Sequence, residues 1–192
     1  MKITISGRAG SGKSTVAKII IKQLGLAHYS MGELMRELAT ERGMSLLELS
    51  REAEKDPSID REIDRRTEEL GKTKDNFIID SRLAFHFIAD SIKIFLDVEL
   101  KEAARRIFND LRPNEKENIS KEETEKNILR RENSEKQRYK KYYNLDPYDK
   151  KYYDIIIDTT RISPAAVAEN IITFIKKNNG IVNRKLLRFI HK

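Results

Sequence analysis

The chain has 192 residues, of which 39% are hydrophobic and 36% charged, with no Cys and three His. That length suits one core domain carrying an insertion; the lack of Cys excludes disulfides and Cys-ligated zinc, and no apolar run approaches the roughly 20 residues a membrane-spanning helix needs. The net charge of +7 is uneven: Lys176, Lys177, Arg184, Lys185, Arg188 and Lys192 carry six of those charges with no acid among them, so the basic balance describes the end of the chain and not a nucleic-acid groove through its core.

Residues 1–6 read as a strand, not as a basic region followed by an apolar stretch, so no secretory leader is expected and a cytoplasmic protein is the default. Lys2–Ser6 is a β-rich run ending at Gly7. Lys13–Leu24 puts Val16, Ala17, Ile20 and Leu24 on one helical face, and Gly25 follows as a stop. Ala27–Tyr29 is a second strand. Gly32–Arg42 and Ser45–Lys55 read as helices, the latter opened by Ser45 with Glu48 three residues on, the spacing of a capping box. Asp56-Pro57 breaks the pattern before a helix over Ser58–Leu70. Asn76–Asp80 is a third strand, Leu83–Ala89 a short helix, and Ser91–Asp97 a fourth strand. Glu99–Leu111 is a helix stopped by Arg112-Pro113. Ser120–Tyr143 is a long charged helix with a thin apolar stripe of Ile128, Leu129, Tyr139 and Tyr142. Asp154–Asp158 is a fifth strand, and Ser163-Pro164 starts a last helix that runs to Gly180. Strands separated by helices imply a five-stranded parallel sheet with right-handed crossovers, hence a three-layer α/β domain.

The sharpest motif is Gly7-Arg8-Ala9-Gly10-Ser11-Gly12-Lys13-Ser14, which fits G-x-x-x-x-G-K-[ST] in full and joins a strand to a helix. Gly7, Gly10 and Gly12 permit positive φ, so successive N–H groups can turn inward on phosphate oxygens at the helix N-terminus. Lys13 reaches the β- and γ-phosphates and Ser14 can ligate Mg²⁺. The loop and its flank, Gly7 to Thr15, are therefore the expected ATP site. A GTPase would need an Asn-Lys-x-Asp stretch, which is absent. Small size and scattered arginines favour a small-molecule kinase.

Three further constellations suit a reaction between polyanions, which needs several cations. Ser30-Met-Gly-Glu-Leu-Met-Arg36 would present Ser30, Gly32 and a helix N-terminus to an anion, with Arg36 one turn on. Asp80-Ser81-Arg82 follows a strand end, where open α/β sheets bind ligands; Asp80 is placed to orient Mg²⁺ waters or an acceptor phosphate, and Arg82 to clamp an anion. Arg131 and Arg138 are two helical turns apart, so both leave one face of the long helix.

Together these residues resemble the nucleoside monophosphate kinases, and more closely the archaeal-type cytidylate kinases. The stretches that carry the resemblance are Ile3–Thr15, Arg36–Arg42, Asp56–Arg66 and Arg131–Thr160, within about residues 1–178. It implies a single P-loop kinase domain over 1–178, with a monophosphate-binding insertion over 45–71, a helical lid over 112–143 and a basic extension over 179–192. The implied reaction is reversible transfer of the ATP γ-phosphate to CMP, and also dCMP, with Mg²⁺ held near Ser14 and Asp80. Lys13, Arg36, Arg82, Arg131 and Arg138 would be catalytic, with Arg36 and Arg82 on the acceptor phosphate and Arg131 and Arg138 closing from the lid. Asp60, Arg61 and Asp64 are candidates for reading the cytosine edge, because a carboxylate accepts from its amino group and an Arg donates to O2 or N3. The sequence departs from the pattern at Asp80-Ser81-Arg82, where Glu-Gly-Arg is more usual, at Arg8-Ala9, and over Ile181–Lys192, which has no recognised counterpart. A monomer free of membrane and nucleic acid is expected, the basic end leaving RNA open. The rival readings are a related kinase acting on AMP, UMP or another small acceptor, and a nucleotide-switched assembly factor gripping RNA.

Overall fold

In the computed structural model the described residues are 1–110, 115 and 117–187, with only the backbone described for 178–187. Consecutive strands are joined by helical crossovers, and the outcome is five parallel strands in the order β2-β3-β1-β4-β5. These are β1 (Lys2–Gly7), β2 (Ala27–Ser30), β3 (Phe77–Asp80), β4 (Ile92–Asp97) and β5 (Ile155–Asp158). The helices are α1 (Lys13–Leu24), α2 (Met31–Glu41), α3 (Leu46–Lys55), α4 (Pro57–Thr73), α5 (Ala84–Phe87), α6 (Leu100–Asn109), α7 (Lys121–Tyr143) and α8 (Pro164–Leu187).

The layers follow from strand periodicity. In β3, Ile78 points to one face and joins Ile3, Ile5, Ile94 and Leu96 against Val16, Ala17 and Ile20 of α1 and Val167, Ala168 and Ile171 of α8. Phe77 and Ile79 point to the other and meet Met31, Ile63, Ala84 and Ile88. The parallel register aligns the carboxyl ends: Asp80 pairs with Ser30 on one side and Ile5 on the other, while Gly7 pairs with Leu96. Ser30, Asp80 and the start of the phosphate loop therefore share one edge.

The expected capping box is present, Ser45 Oγ accepting from Glu48 N while the Glu48 carboxylate accepts from Ser45 N. Asp56 caps the end of α3 and the start of α4 at once, with Pro57 in the first turn, so Asp56-Pro57 is a corner between abutting helices.

Two expectations need correction. Gly180 does not end the last helix, whose backbone continues to Leu187; an interior Gly costs only about 1 kcal/mol relative to Ala and stops a helix only where the chain turns left-handed. Leu129 is not on the packed stripe of α7 but 42% exposed. The buried face of α7 instead holds Thr124, Asn127, Ile128, Glu132, Ser134, Glu135, Arg138 and Tyr139, a polar stripe docked on α3 and α6. Arg112-Pro113, the first residues of the expected lid, and the end of the basic extension lie outside the described residues. No helix among the described residues is long and apolar enough to cross a membrane.

Candidate active site

The phosphate loop takes its shape from glycines whose neighbours leave no room for a side chain. Gly7 has φ +133° and a Cβ there would sit 2.0 Å from Leu96 O; Gly10 has φ +77° and its Cβ would sit 2.7 Å from Ala103 O. The loop thus lies directly on β4 and α6. Lys13 Nζ donates to Gly7 O (2.9 Å) and Arg8 O (2.8 Å), arching over the loop. Burial and the nearby Arg82 charge push its pKa well below the ordinary lysine value, which primes the ammonium for an anionic partner. Ser11 Oγ is buried with no hydrogen-bond partner among the described residues.

Asp80 is the hub beside it. Its carboxylate accepts from Ser14 Oγ (3.1 Å) and His28 Nε2 (3.0 Å) on Oδ2, and from Ser30 Oγ (2.9 Å) on Oδ1. Burial works against its charge, but the His28 hydrogen bond, the Lys13 charge and Ser30 outweigh it and hold the carboxyl below its usual range. Ser30 is the neighbour of Asp80 across the β2–β3 pairing, and His28, two residues earlier on β2, reaches the same carboxylate through its ring. Ser30 also caps α2, accepting from Glu33 N. Gly32 lies beside Ser30, Arg36 and Asp80.

Two cavities meet at the loop. The first, of about 180 Å³, runs from Gly12, Lys13 and Ser14 past Gly32, Arg36, Arg82 and Arg131 to an end lined by Leu46, Ser50, Asp60, Ile63, Asp64, Arg138 and Tyr139. The second, of about 550 Å³, lies on the other side, between Ser11, Thr15, Arg105, Arg106, Thr159, Ile162 and Pro164. Gly10, Gly12 and Thr15 line both. In the second, Arg106 donates to Thr159 O (2.7 Å) and Gly10 O (3.3 Å), tying α6 to the loop.

Helix α7 closes the first cavity through ion pairs. Arg82 donates to Glu135 Oε2 and to Gly7 O, both at 2.7 Å. Arg8 donates to Glu132 Oε1 (2.7 Å) and Val98 O (3.0 Å). Arg138 donates to Asp60 Oδ2 (2.7 Å), to Ser50 O (3.2 Å) and to Ser134 Oγ. Tyr143 OH donates to Asp64 Oδ2. Burial pushes the Asp64 carboxyl up to about 7, more than the Tyr143 hydrogen bond offsets.

Of the residues singled out in the sequence, Ala9, Gly10, Gly12, Lys13, Ser14, Thr15, Gly32, Arg36, Asp60, Asp64, Asp80, Arg82, Arg131 and Arg138 line the first cavity; Ser11 lines the second. Arg61 is not brought in: it is exposed on the outer face of α4, because Asp60 and Asp64, four apart, take the inward face and Arg61 is rotated about 100° from Asp60. The Arg8 side chain turns away to Glu132 and Val98, so only its backbone belongs to the loop. Sequence reasoning missed His28, Ser50, Glu132, Glu135, Arg106 and Thr159. The available signal was Glu135, four residues after Arg131 and three before Arg138, and Thr159 immediately after β5.

Residues 2–161 match the Cytidylate kinase-like family. A cytidylate kinase of Natronomonas pharaonis is 40% identical over 169 residues, covering 87% of this chain and 85% of the relative. One from Methanocella arvoryzae is 42% identical over 161 residues, covering 84% and 89%. Among solved structures, shikimate kinase from Acinetobacter baumannii in complex with shikimate superposes with a TM-score of 0.63 at 15% identity, over 92% of this chain and 93% of that one, a likeness of fold alone.

Proposed function

Given that the chain belongs to the cytidylate kinase-like family, we propose that it transfers the γ-phosphate of ATP to CMP, with dCMP as a second acceptor. The observation that carries this reading is the meeting of two cavities on one phosphate loop, with Gly10, Gly12 and Thr15 common to both. ATP lies with its phosphates on the loop and its nucleoside between Arg106, Thr159 and Ile162. The monophosphate lies in the first cavity, its phosphate toward Arg36 and Arg82 and its base toward Asp64.

The residues present fit Mg²⁺, a hard cation that takes oxygen donors: the Ser14 hydroxyl and the charged Asp80 carboxylate lie 3.1 Å apart beside the loop. Bound there with ATP, the ion would neutralise phosphate charge and orient the β- and γ-phosphates. Asp80 would hold it through water or directly, with His28 and Ser30 fixing the carboxylate.

The chain's own residues do the rest by position and charge. Lys13 follows the γ-phosphoryl group. Arg131, brought over the cavity by α7, and Arg82 stabilise the charge that spreads on its equatorial oxygens. Arg36 clamps the acceptor phosphate. At the far end Leu46, Ile63 and Tyr139 give the base an apolar slot, and Asp64, when ionised, accepts from the cytosine amino group. Arg138, held by Asp60, supports this wall. The enzyme is a cytoplasmic monomer on this reading.

Steady-state assays with ATP–Mg²⁺ and a panel of CMP, dCMP, UMP, AMP and shikimate test it. Rapid phosphorylation of CMP is expected, with shikimate inert. A preference for AMP, UMP or shikimate overturns the acceptor assignment, and salt-sensitive RNA binding without transfer would favour an assembly factor.

A further inference from the structure

Glu135 is a buried carboxylate on the wall of the cavity that must accept phosphates. A negative charge there repels both substrates, and the mechanism above makes no use of it. It is nonetheless held firmly. Oε2 accepts from Arg82 Nε at 2.7 Å and from Tyr148 OH at 2.6 Å. Burial works against its charge, but Arg82 and Arg131 outweigh this and bring its pKa down to about 2, so it is ionised at any working pH.

What this charge does is visible at Arg82. The guanidinium is fixed at two points, Nε on Glu135 and Nη1 on Gly7 O, the first residue of the phosphate loop. Glu135 belongs to α7, one turn after Arg131 and one before Arg138. One helical face therefore carries two cavity arginines and, between them, the carboxylate that holds a third arginine from the core. Further ties of α7, among them Arg8 to Glu132, Arg138 to Asp60 and Tyr143 to Asp64, dock the helix through partners other than Arg82.

We propose that Glu135 is a positioning residue that makes the orientation of Arg82 conditional on the docking of α7, so that Arg82 faces the transferring phosphoryl group only when Arg131 covers it. The proposal rests on the phosphoryl-transfer reading of the same cavity. Its consequence is that an open α7 leaves Arg82 misaligned, so ATP is not spent on water before the site is closed.

The test compares Glu135→Gln, Arg82→Lys and the double variant for kcat, for KM of CMP and ATP, and for ATP hydrolysis without acceptor. Glu135→Gln keeps the shape and an acceptor oxygen but removes the charge. The expected result is a kcat lowered by roughly tenfold or more with both KM values within about threefold of wild type, the signature of lost orientation. ATP hydrolysis without acceptor falls along with kcat, since a misaligned Arg82 serves neither reaction, and Arg82→Lys costs far less in the Glu135→Gln background than alone. Additive losses, or a kcat unchanged in Glu135→Gln, overturn the proposal; a merely structural role would lower only the folded fraction, so kcat is expressed per folded molecule, and a wild-type value on that basis also overturns it. Should Glu135→Gln fail to fold, Tyr148→Phe decides, since it frees the same Oε2: a lower kcat at constant KM supports the proposal and an unchanged kcat overturns it. If the wild type phosphorylates no monophosphate, the kinase reading fails separately, and the coupling of Glu135 to Arg82 is still read from ATP hydrolysis, where additivity overturns it.

Discussion

Arg138 Nε lies 2.7 Å from Asp60 Oδ2, and both side chains are almost wholly buried. The pair ties α7 to α4 and separates two arginines that look equivalent in the sequence. Arg131, also on the cavity wall, is less buried than Arg138.

Arg131→Ala is therefore expected to lower kcat by roughly tenfold or more, as loss of a phosphoryl-facing arginine does, with little change in Tm. Arg138→Ala strands a buried Asp60; breaking such a pair costs about 3–5 kcal/mol, or about 6–20 °C in Tm for a chain of this size. Lys140→Ala, on the exposed side of α7, is expected to be neutral. Parallel assays and thermal unfolding check all three; equal kcat losses with equal Tm would contradict the division.

Lys13→Ala should abolish transfer while the chain stays folded. Among the described residues its ammonium donates hydrogen bonds to Gly7 O and Arg8 O, and removing a buried charge relieves desolvation. Far-UV circular dichroism and product formation decide: a folded variant at wild-type turnover would remove the loop from the mechanism.

The loop was legible because its chemistry is local: four fixed positions between a strand and a helix. The strands were legible from apolar runs, and the capping box from Ser45 and Glu48. Helix α7 was legible in its extent, in Ile128 and Tyr139 and in its two cavity arginines, but not in the rest of its packed face, because that face is mostly polar and apolar periodicity passes over Glu132, Ser134 and Glu135. The partners of Glu132, Glu135 and Arg138 are Arg8, Arg82 and Asp60, distant in sequence; nothing local announces such pairs. His28 was hidden in the same way: its ring reaches Asp80 because β2 lies beside β3, where its own backbone partner is Ile78.

Asp64 sets a pH dependence. Its carboxyl titrates at about 7 in the folded chain against an ordinary 3.8. The folded chain therefore keeps a proton that the unfolded chain releases, and the stability this contributes is full below about pH 4 and lost as pH rises through 7. Glu135, shifted down to about 2, acts the opposite way: its contribution is present above the unfolded pKa and lost as pH falls toward 2. Between pH 5 and 8 the wild type should lose more thermal stability than Asp64→Asn. Parallel profiles for the two would contradict the assignment.

Deleting residues 181–192 should leave CMP phosphorylation nearly unchanged. Among the residues whose side chains are described, those of α8 in the core, Val167, Ala168, Ile171, Ile172 and Ile175, precede the cut, and the family match ends at residue 161. Activity and Tm of the truncated chain check this; unfolding would make the basic end part of the structure.

If donor and acceptor occupy separate cavities joined at the phosphate loop, one molecule can fill both. Inhibition is measured with a bisubstrate compound in which adenosine and cytidine are linked 5′ to 5′ through five phosphates. Competition against both ATP and CMP is expected, with affinity well above that of either nucleotide alone. Competition against ATP only, with CMP saturation unaffected, would contradict it.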